Sequence, residues 1–299
     1  MRWRSTIAIG AILPVILTLT GSAGEPFPET YMARYTWQES TSEFGGFSGL
    51  DIAANGRDFV AVTDRGFLAR GVLMRDDEQI IGVKLDHFAA IEPSQTTEKL
   101  DNDAEAVAIG ADGIYISYEQ DHRVIHLVGT GPALRSPTHP DFRLFPRNGG
   151  IEALAVDEKG LLHALPERFR RGGAFPVYRL DGSEWSVITT LDPVGGFEPA
   201  GASFGPDGAL YVLERAFTGY GFRSRVRRVI ETDQGWRDDE VFRSPTGRHD
   251  NLEGIAAWRD EDGHIRLTMI SDDNFFFFQR TEFVEYTVPP ELAIRHRTP

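Results

Sequence analysis

Polar and apolar positions along this chain alternate in short runs, without the stripes of a helix. In "IEALAVDEKGLLHALPER" (151–168) an apolar run, a turn containing glycine and a second apolar run follow one another. Just downstream, "FPVYRLD" and "WSVITTL" flank Asp181-Gly182, a dipeptide favoured in hairpin turns. β-Branched and aromatic residues dominate these runs, and none has helical length and period. The pattern predicts an all-β chain.

The same unit occurs five times. It is seen in "FSGLDIAANGRDFVAVTDRG" (47–66), "DAEAVAIGADGIYISYEQDH" (103–122) and "GIEALAVDEKGLLHALPERF" (150–169). It returns in "PAGASFGPDGALYVLERAF" (199–217) and "NLEGIAAWRDEDGHIRLTMISDDN" (251–274). Equivalent first positions are Ser48, Glu105, Glu152, Ala200 and Glu253, recurring about every 50 residues, and four strands per unit at that period is the signature of a β-propeller. Five antiparallel blades are expected; six would need a blade hidden in 67–102, where only two strands fit. The last unit has "EFVEYTV" (282–288) as its third strand and lacks a fourth. "YMARYTW" (31–37) is expected to supply it and close the ring. The run Phe275 to Phe278 reads as a strand buried between two blades.

Composition changes this picture at three points. The first segment, "MRWRSTIAIGAILPVILTLTGSAGEP", has Arg2 and Arg4 before an apolar run from Ile7 to Leu19, then Gly21-Ser22-Ala23. That order predicts a signal peptide over 1–23, leaving 24–299 as one exported domain in the periplasm or the medium, with no membrane association after cleavage. The chain has no cysteine, which excludes disulfides, thiolate metal sites and a Cys nucleophile. Its net charge is -14, and loss of Arg2 and Arg4 takes it to about −16, a surface that repels nucleic acid.

The acids have a regular place. In each unit one polar residue opens the first strand and another closes the second, and a hairpin puts both on the same sheet edge. Glu105 is thus expected near Glu119, Glu152 near Glu167, and Glu253 near Asp272. Asp64 pairs with Ser48 and Glu214 with Ala200. All should fall on one rim at the mouth of the channel. Like charges facing across strands are destabilising, so something must offset them. Calcium or another divalent cation suits an all-oxygen cluster. Arg65, Arg168 and Arg215, each directly after a closing acid, are the alternative, and solvated charge is a third.

Other motifs carry less. "DNDAEA" (101–106) spaces Asp101, Asp103 and Glu105 like a calcium loop but has Ala106 where the EF-hand needs glycine. "GASFG" (201–205) matches a nucleophile elbow, yet Ser203 aligns inside a repeated strand and not at a strand-to-helix turn. His122, His163 and His249 show no metal-ligand spacing. His249, just before the fifth unit, is the one placed near the rim.

Together, "FGGFSGLDI", "FVAVTDRG", "AEAVAI", "GGIEALAV", "GASFGPDGALYVLER" and "NLEGIAAW" resemble the phytase-like family of exported bacterial proteins, also described by esterase-like activity of phytase. The resemblance covers nearly the whole chain after residue 23. It implies a propeller that hydrolyses a phosphoester or ester of a small anionic substrate. In the true β-propeller phytases, channel carboxylates hold calcium that binds phosphate and activates water. The carboxylates carried over are Asp64, Glu105, Glu119, Glu152, Glu167, Glu214, Glu253 and Asp272. Arg65, Arg168, Arg215 and His249 would contact substrate. Adjacent aspartates followed by Pro-Ala, a mark of true phytases, are absent here. The expectation is therefore a monomeric, metal-assisted hydrolase with no organic cofactor. The rival is a non-catalytic propeller whose rim binds a ligand or a protein.

Overall fold

The computed structural model describes residues 30–91, 102–169 and 173–293. The expected signal segment and Asp101 lie outside them. No helix among the described residues is long and apolar enough to cross a membrane.

Strand β1 (Tyr31–Thr36) stands apart at the start of the chain. Blade 1 follows as β2 (Phe47–Ile52), β3 (Asp58–Thr63), β4 (Phe67–Asp76) and β5 (Gln79–Ala90). Blade 2 is β6 (Ala104–Gly110), β7 (Gly113–Tyr118), β8 (Arg123–Leu127) and the short β9 (Leu134–Arg135). Blade 3 is β10 (Ile151–Val156), β11 (Leu162–Pro166), β12 (Phe175–Asp181) and β13 (Glu184–Leu191). Blade 4 is β14 (Glu198–Phe204), β15 (Leu210–Phe217), β16 (Phe222–Thr232) and β17 (Gly235–Arg243). Blade 5 is β18 (Asn251–Arg259), β19 (Ile265–Asp272), β20 (Glu282–Thr287) and, as its outer strand, β1. The protein is a five-bladed β-propeller of four-stranded antiparallel sheets, and residues 67–102 hold β4 and β5, not a sixth blade.

The inner strands β2, β6, β10, β14 and β18 contact one another in that order, and β18 returns to β2. They are buried on both faces, which is why "IEALAV" and "GIAAW" read as nearly continuous apolar runs. The outer strand β13 is mostly exposed or half-buried, with only Trp185 and Leu191 buried.

Blade 5 is closed by the N-terminal strand, and the seam with blade 1 is bolted by buried charge. Arg75 of β4 forks onto Glu285 of β20 at 2.7 and 2.9 Å. Arg266 of β19 bonds Asp260 at 2.6 Å and reaches Glu78 in the β4–β5 turn at 2.5 Å. Trp37, Phe47, Phe59 and Phe283 pack together beneath that seam.

Every inner strand carries a β-bulge at the same level. The register shifts between Phe47 and Gly49, Ala104 and Ala106, Ile151 and Ala153, Pro199 and Gly201, and Leu252 and Gly254. The bulged residues are Ser48, Glu105, Glu152, Ala200 and Glu253, the same positions the repeat aligns. A bulge leaves one residue out of the ladder and re-aims its side chain. Just past the bulge the blades touch backbone to backbone. A Cβ on Gly201 would lie 2.5 Å from the Glu253 carbonyl oxygen, and one on Gly254 would lie 2.6 Å from the Leu50 nitrogen.

The Phe275–Phe278 run is not a buried strand. It lies in the loop between β19 and β20, with Asn274 and Phe275 at φ 47 and 53, values that end an extended strand. Hydrophobicity alone could not reveal that break, which leaves Phe276, Phe277 and Phe278 exposed.

Because the atom facing Gly201 is backbone and cannot swing away, Gly201→Ala should destabilise the fold by about 1–3 kcal/mol. Thermal denaturation followed by circular dichroism should show a fall of roughly 2–10 °C. An unchanged melting temperature would show that the blades are not in backbone contact there.

Candidate functional site

The five bulges and the strands facing them build a cup on one face of the ring. Two residues before each bulge, the inner strand lies opposite the position that closes the next strand. Glu119 bonds back to Asp103 and Glu167 to Gly150 through their backbone nitrogens, at 2.8 and 2.9 Å. Asp64 bonds in the same way to Gly46 at 2.8 Å, and Asn251 pairs with Asp272. In blade 4, Glu198 pairs with Arg215. The closing tier is therefore Asp64, Glu119, Glu167, Arg215 and Asp272, above a bulge tier of Ser48, Glu105, Glu152, Ala200 and Glu253.

This register corrects one expectation. Glu214 does not belong with the closing acids. It pairs with Pro199, one residue earlier than the equivalent position. A slip of one residue in a strand moves a side chain to the other face. Glu214 is fully buried inside blade 4, where Arg225 bonds it at 2.6 Å and Arg227 grips both its oxygens. The similarity of "LERAF" to "PERF" conceals the slip.

The remaining acids line one cavity of about 1190 Å³, with Asp64, Asp103, Glu105, Glu119, Glu152, Glu167, Glu253 and Asp272 among its walls. Arg215 crosses this cup. Its guanidinium donates to Asn251 at 2.9 Å, to Glu167 at 3.2 Å and to Glu253. It thereby joins blades 3, 4 and 5. Burial works against its charge, and Glu253, Glu167, Glu152 and Glu105 outweigh burial and hold it protonated.

The blade 2 side is different. Asp103, Glu105 and Glu119 each offer an oxygen, and the three atoms lie within 4.8 Å of one another. Glu119 accepts from the Gly149 backbone at 2.5 Å and from Gln120 at 3.2 Å. The Gln120 side-chain oxygen in turn accepts from Arg147 at 3.2 Å. Calcium–oxygen bonds of about 2.3–2.6 Å put opposed ligands roughly 4.6–5.2 Å apart, so this oxygen-only set fits a hard divalent cation.

Burial shapes the protonation of the cup. It raises the Glu105 and Glu152 carboxyls well above the usual range, with Glu152 adding to the rise at Glu105 and Glu167 to that at Glu152. Glu253 is raised by burial against the pull of Arg215. Glu119 is raised by burial to about 7, and Asp272 by burial and Glu253 to about 8.

The other sequence candidates divide. Arg168 lies at the lip and forks onto Glu198 at 2.9 and 3.0 Å. Arg65 is outside the cavity wall, its guanidinium 3.2 Å from the Phe275 ring centre. His249 reaches the wall, bonds the Tyr286 hydroxyl at 2.7 Å, and is held neutral by burial with its pKa lowered to about 4. Ser203 accepts the Ala257 backbone N–H at 3.0 Å, tying β14 to β18 and not acting as a nucleophile elbow. Asn251 and Gln120 join the cup without a motif to mark them, and Asp103 joins it although the EF-hand pattern fails. Asp103 was visible in "DNDAEA", and its position opposite a closing acid was the signal.

The phytase-like family, described as esterase-like activity of phytase, matches residues 42–275. The chain belongs to this family. No curated protein matches it. Among solved structures, a gluconolactonase from Xanthomonas campestris has a TM-score of 0.48 at 16% identity, covering 82% of this chain and 77% of that one. A Thermus thermophilus protein assigned as an oxidoreductase (glucose dehydrogenase) has a TM-score of 0.44 at 11% identity, covering 83% and 98%. At that distance neither informs the chemistry.

The raised carboxyls give a pH prediction. The folded chain holds the Glu119 proton more tightly than the unfolded chain, whose value is near 4.5. Stability from that proton is full below pH 4.5 and is lost as the pH rises through about 7. With chelator present, Glu119→Gln should match the parent at pH 4.5 and melt about 5 °C higher at pH 8. His163 and His249, lowered to about 4 by burial, act in the opposite sense but equally in both proteins. A variant that melts lower than its parent at pH 8 would contradict the assignment.

Proposed function

We propose that this protein is an exported, monomeric hydrolase of phosphoesters or related esters, assisted by a divalent cation at the channel mouth. The observation that carries the reading is the oxygen-only trio Asp103, Glu105 and Glu119, set in the same cup as the Arg215 guanidinium. Membership of a family described by esterase-like activity agrees with it. On this reading residues 1–23 are removed during export to the periplasm or the medium.

Asp103, Glu105 and Glu119 would hold the cation, calcium being the ion of matching size and ligand type. When bound, it would polarise a phosphoryl oxygen and lower the pKa of a water. The chain's own residues supply the rest. Arg168 and Arg215 line the cavity and bring positive charge to the side where an anionic ester group would sit. Asp272, raised to about 8, holds a proton at neutral pH and is the group to pass it to a leaving alkoxide. The blades close beneath Glu152 and Glu253, leaving a space of about 10 Å³, so the substrate enters from the mouth alone.

The test is a screen of phosphate and carboxylic esters with and without chelator. Turnover should be cation-dependent, and Asp103→Asn or Glu105→Gln should cut kcat/KM by about 100-fold or more. Calcium at 100 times its Kd should raise the melting temperature of stripped protein by about 5 °C or more, and excess chelator should reverse the gain. No turnover of any ester, with a melting temperature indifferent to calcium, magnesium and manganese, would leave a ligand-binding propeller in its place.

A further inference from the structure

The mouth of the cup is flanked by exposed aromatic rings. Phe217 and Tyr220, in the β15–β16 hairpin of blade 4, are 65% and 84% exposed. Phe276, Phe277 and Phe278, in the β19–β20 loop of blade 5, are 54%, 98% and 66% exposed. Large apolar side chains in water are costly when clustered, and such a cluster marks a contact surface. Four of these five, Phe217, Tyr220, Phe276 and Phe278, line the same cavity as the carboxylates. They form a lip over the cup and do not face away from it.

The lip is built. Phe276 and Phe278 stack with ring centres 5.3 Å apart and planes 8° apart, and Phe217 packs on Phe222 at 5.1 Å. The root of the β19–β20 loop is tied at Asp273, which accepts from the backbones of Gly46 at 3.0 Å and Phe275 at 3.1 Å. Arg65 then covers the Phe275 ring. This gives a role to the arginine that the cavity leaves out: it anchors the loop that carries the lip.

Charge decides what such a lip can hold. Eleven acids and five arginines line the cavity. Each phosphate group adds a charge of about −1.5 to −2, so a substrate with many phosphates would meet strong repulsion. A single anionic group can be met by the arginines and a cation. The cavity of about 1190 Å³ exceeds the need of a bare phosphate and has room for an organic group beside it.

We propose that Phe217, Tyr220, Phe276 and Phe278 form a subsite for a flat ring, and that the substrate is an ester with one anionic group and an aromatic organic part. This rests on the hydrolase reading of the cup and narrows its substrate class. Aromatic faces favour ring partners through stacking and burial of apolar area.

The probes are phenylphosphonate and methylphosphonate, which share a headgroup and differ by the ring. Calorimetry on the full chain with calcium should find phenylphosphonate bound about tenfold tighter or better. In Phe276→Ala/Phe278→Ala, and separately in Tyr220→Ala, the ratio should fall to about threefold or less. These positions are exposed, so unchanged melting curves will verify folding. Equal binding of the two probes, no binding of either, or a preference that survives in the variants would overturn the proposal. Lip-dependent binding to phosphatidylcholine vesicles without ring preference would overturn it in favour of a membrane contact. The two readings separate by turnover. A ring preference without turnover of phenyl phosphate or of any other ester in the screen keeps the subsite and removes the hydrolase. Hydrolysis of phenyl and methyl phosphate with equal kcat/KM keeps the hydrolase and removes the subsite.

Discussion

Five bulged inner strands converge on one axis, and three of the five bulged residues are glutamates. Four more positions in the tier above are acids. Buried like charges at this density repel one another unless they are protonated, paired or bound to a cation. All three means are at hand in this cup. Arg215 serves Glu167 and Glu253, burial retains protons on Asp272 and Glu152, and the Asp103–Glu105–Glu119 corner has the span of a hard cation.

The break in the fivefold pattern is what makes this workable. Blade 4 has Ala200 where three blades have glutamate, and Arg215 where four have a carboxylate. Blade 4 thus contributes one acid fewer to the bulge tier and a cation to the tier above it. A fully symmetric ring of acids would have no internal counter-charge. The asymmetry also gives the cup two sides, one held together by an arginine and one built of carboxylate oxygen. A cation held at the carboxylate corner would place positive charge on both sides of the cup.

Away from the mouth, buried charge has a structural task. Arg225 and Arg227 on Glu214, Arg228 on Asp207, and Arg75 on Glu285 all lie within or between blades. Such pairs are costly to break because removal of one partner strands the other without water. Two pairs, Arg75–Glu285 and Arg266–Glu78, span the seam where the first and last blades meet. The ring depends on that seam, because β1 reaches blade 5 from the opposite end of the chain.

The sequence by itself determined the repeat, the strand content and the closure of the ring by the N-terminal strand. Alternation and glycine turns are local signals, and they sufficed for five blades and for β1 as the closing strand. What only the tertiary structure decided was where side chains point. The inner strands are buried on both faces and carry no clear alternation, so the change of phase that a bulge makes at Glu105, Glu152 and Glu253 left no mark in the text of the chain. The same limit misplaced Glu214, because "LER" in β15 looks like "PER" after β11 while its register differs by one. Asp103 was legible as an acid and became part of a cluster only when the hairpin set it beside Glu119. The run Phe275 to Phe278 shows the limit most plainly: four apolar residues specify a ring's chemistry, and the backbone turn at Asn274 and Phe275 decides whether those rings face a core or the mouth of a channel.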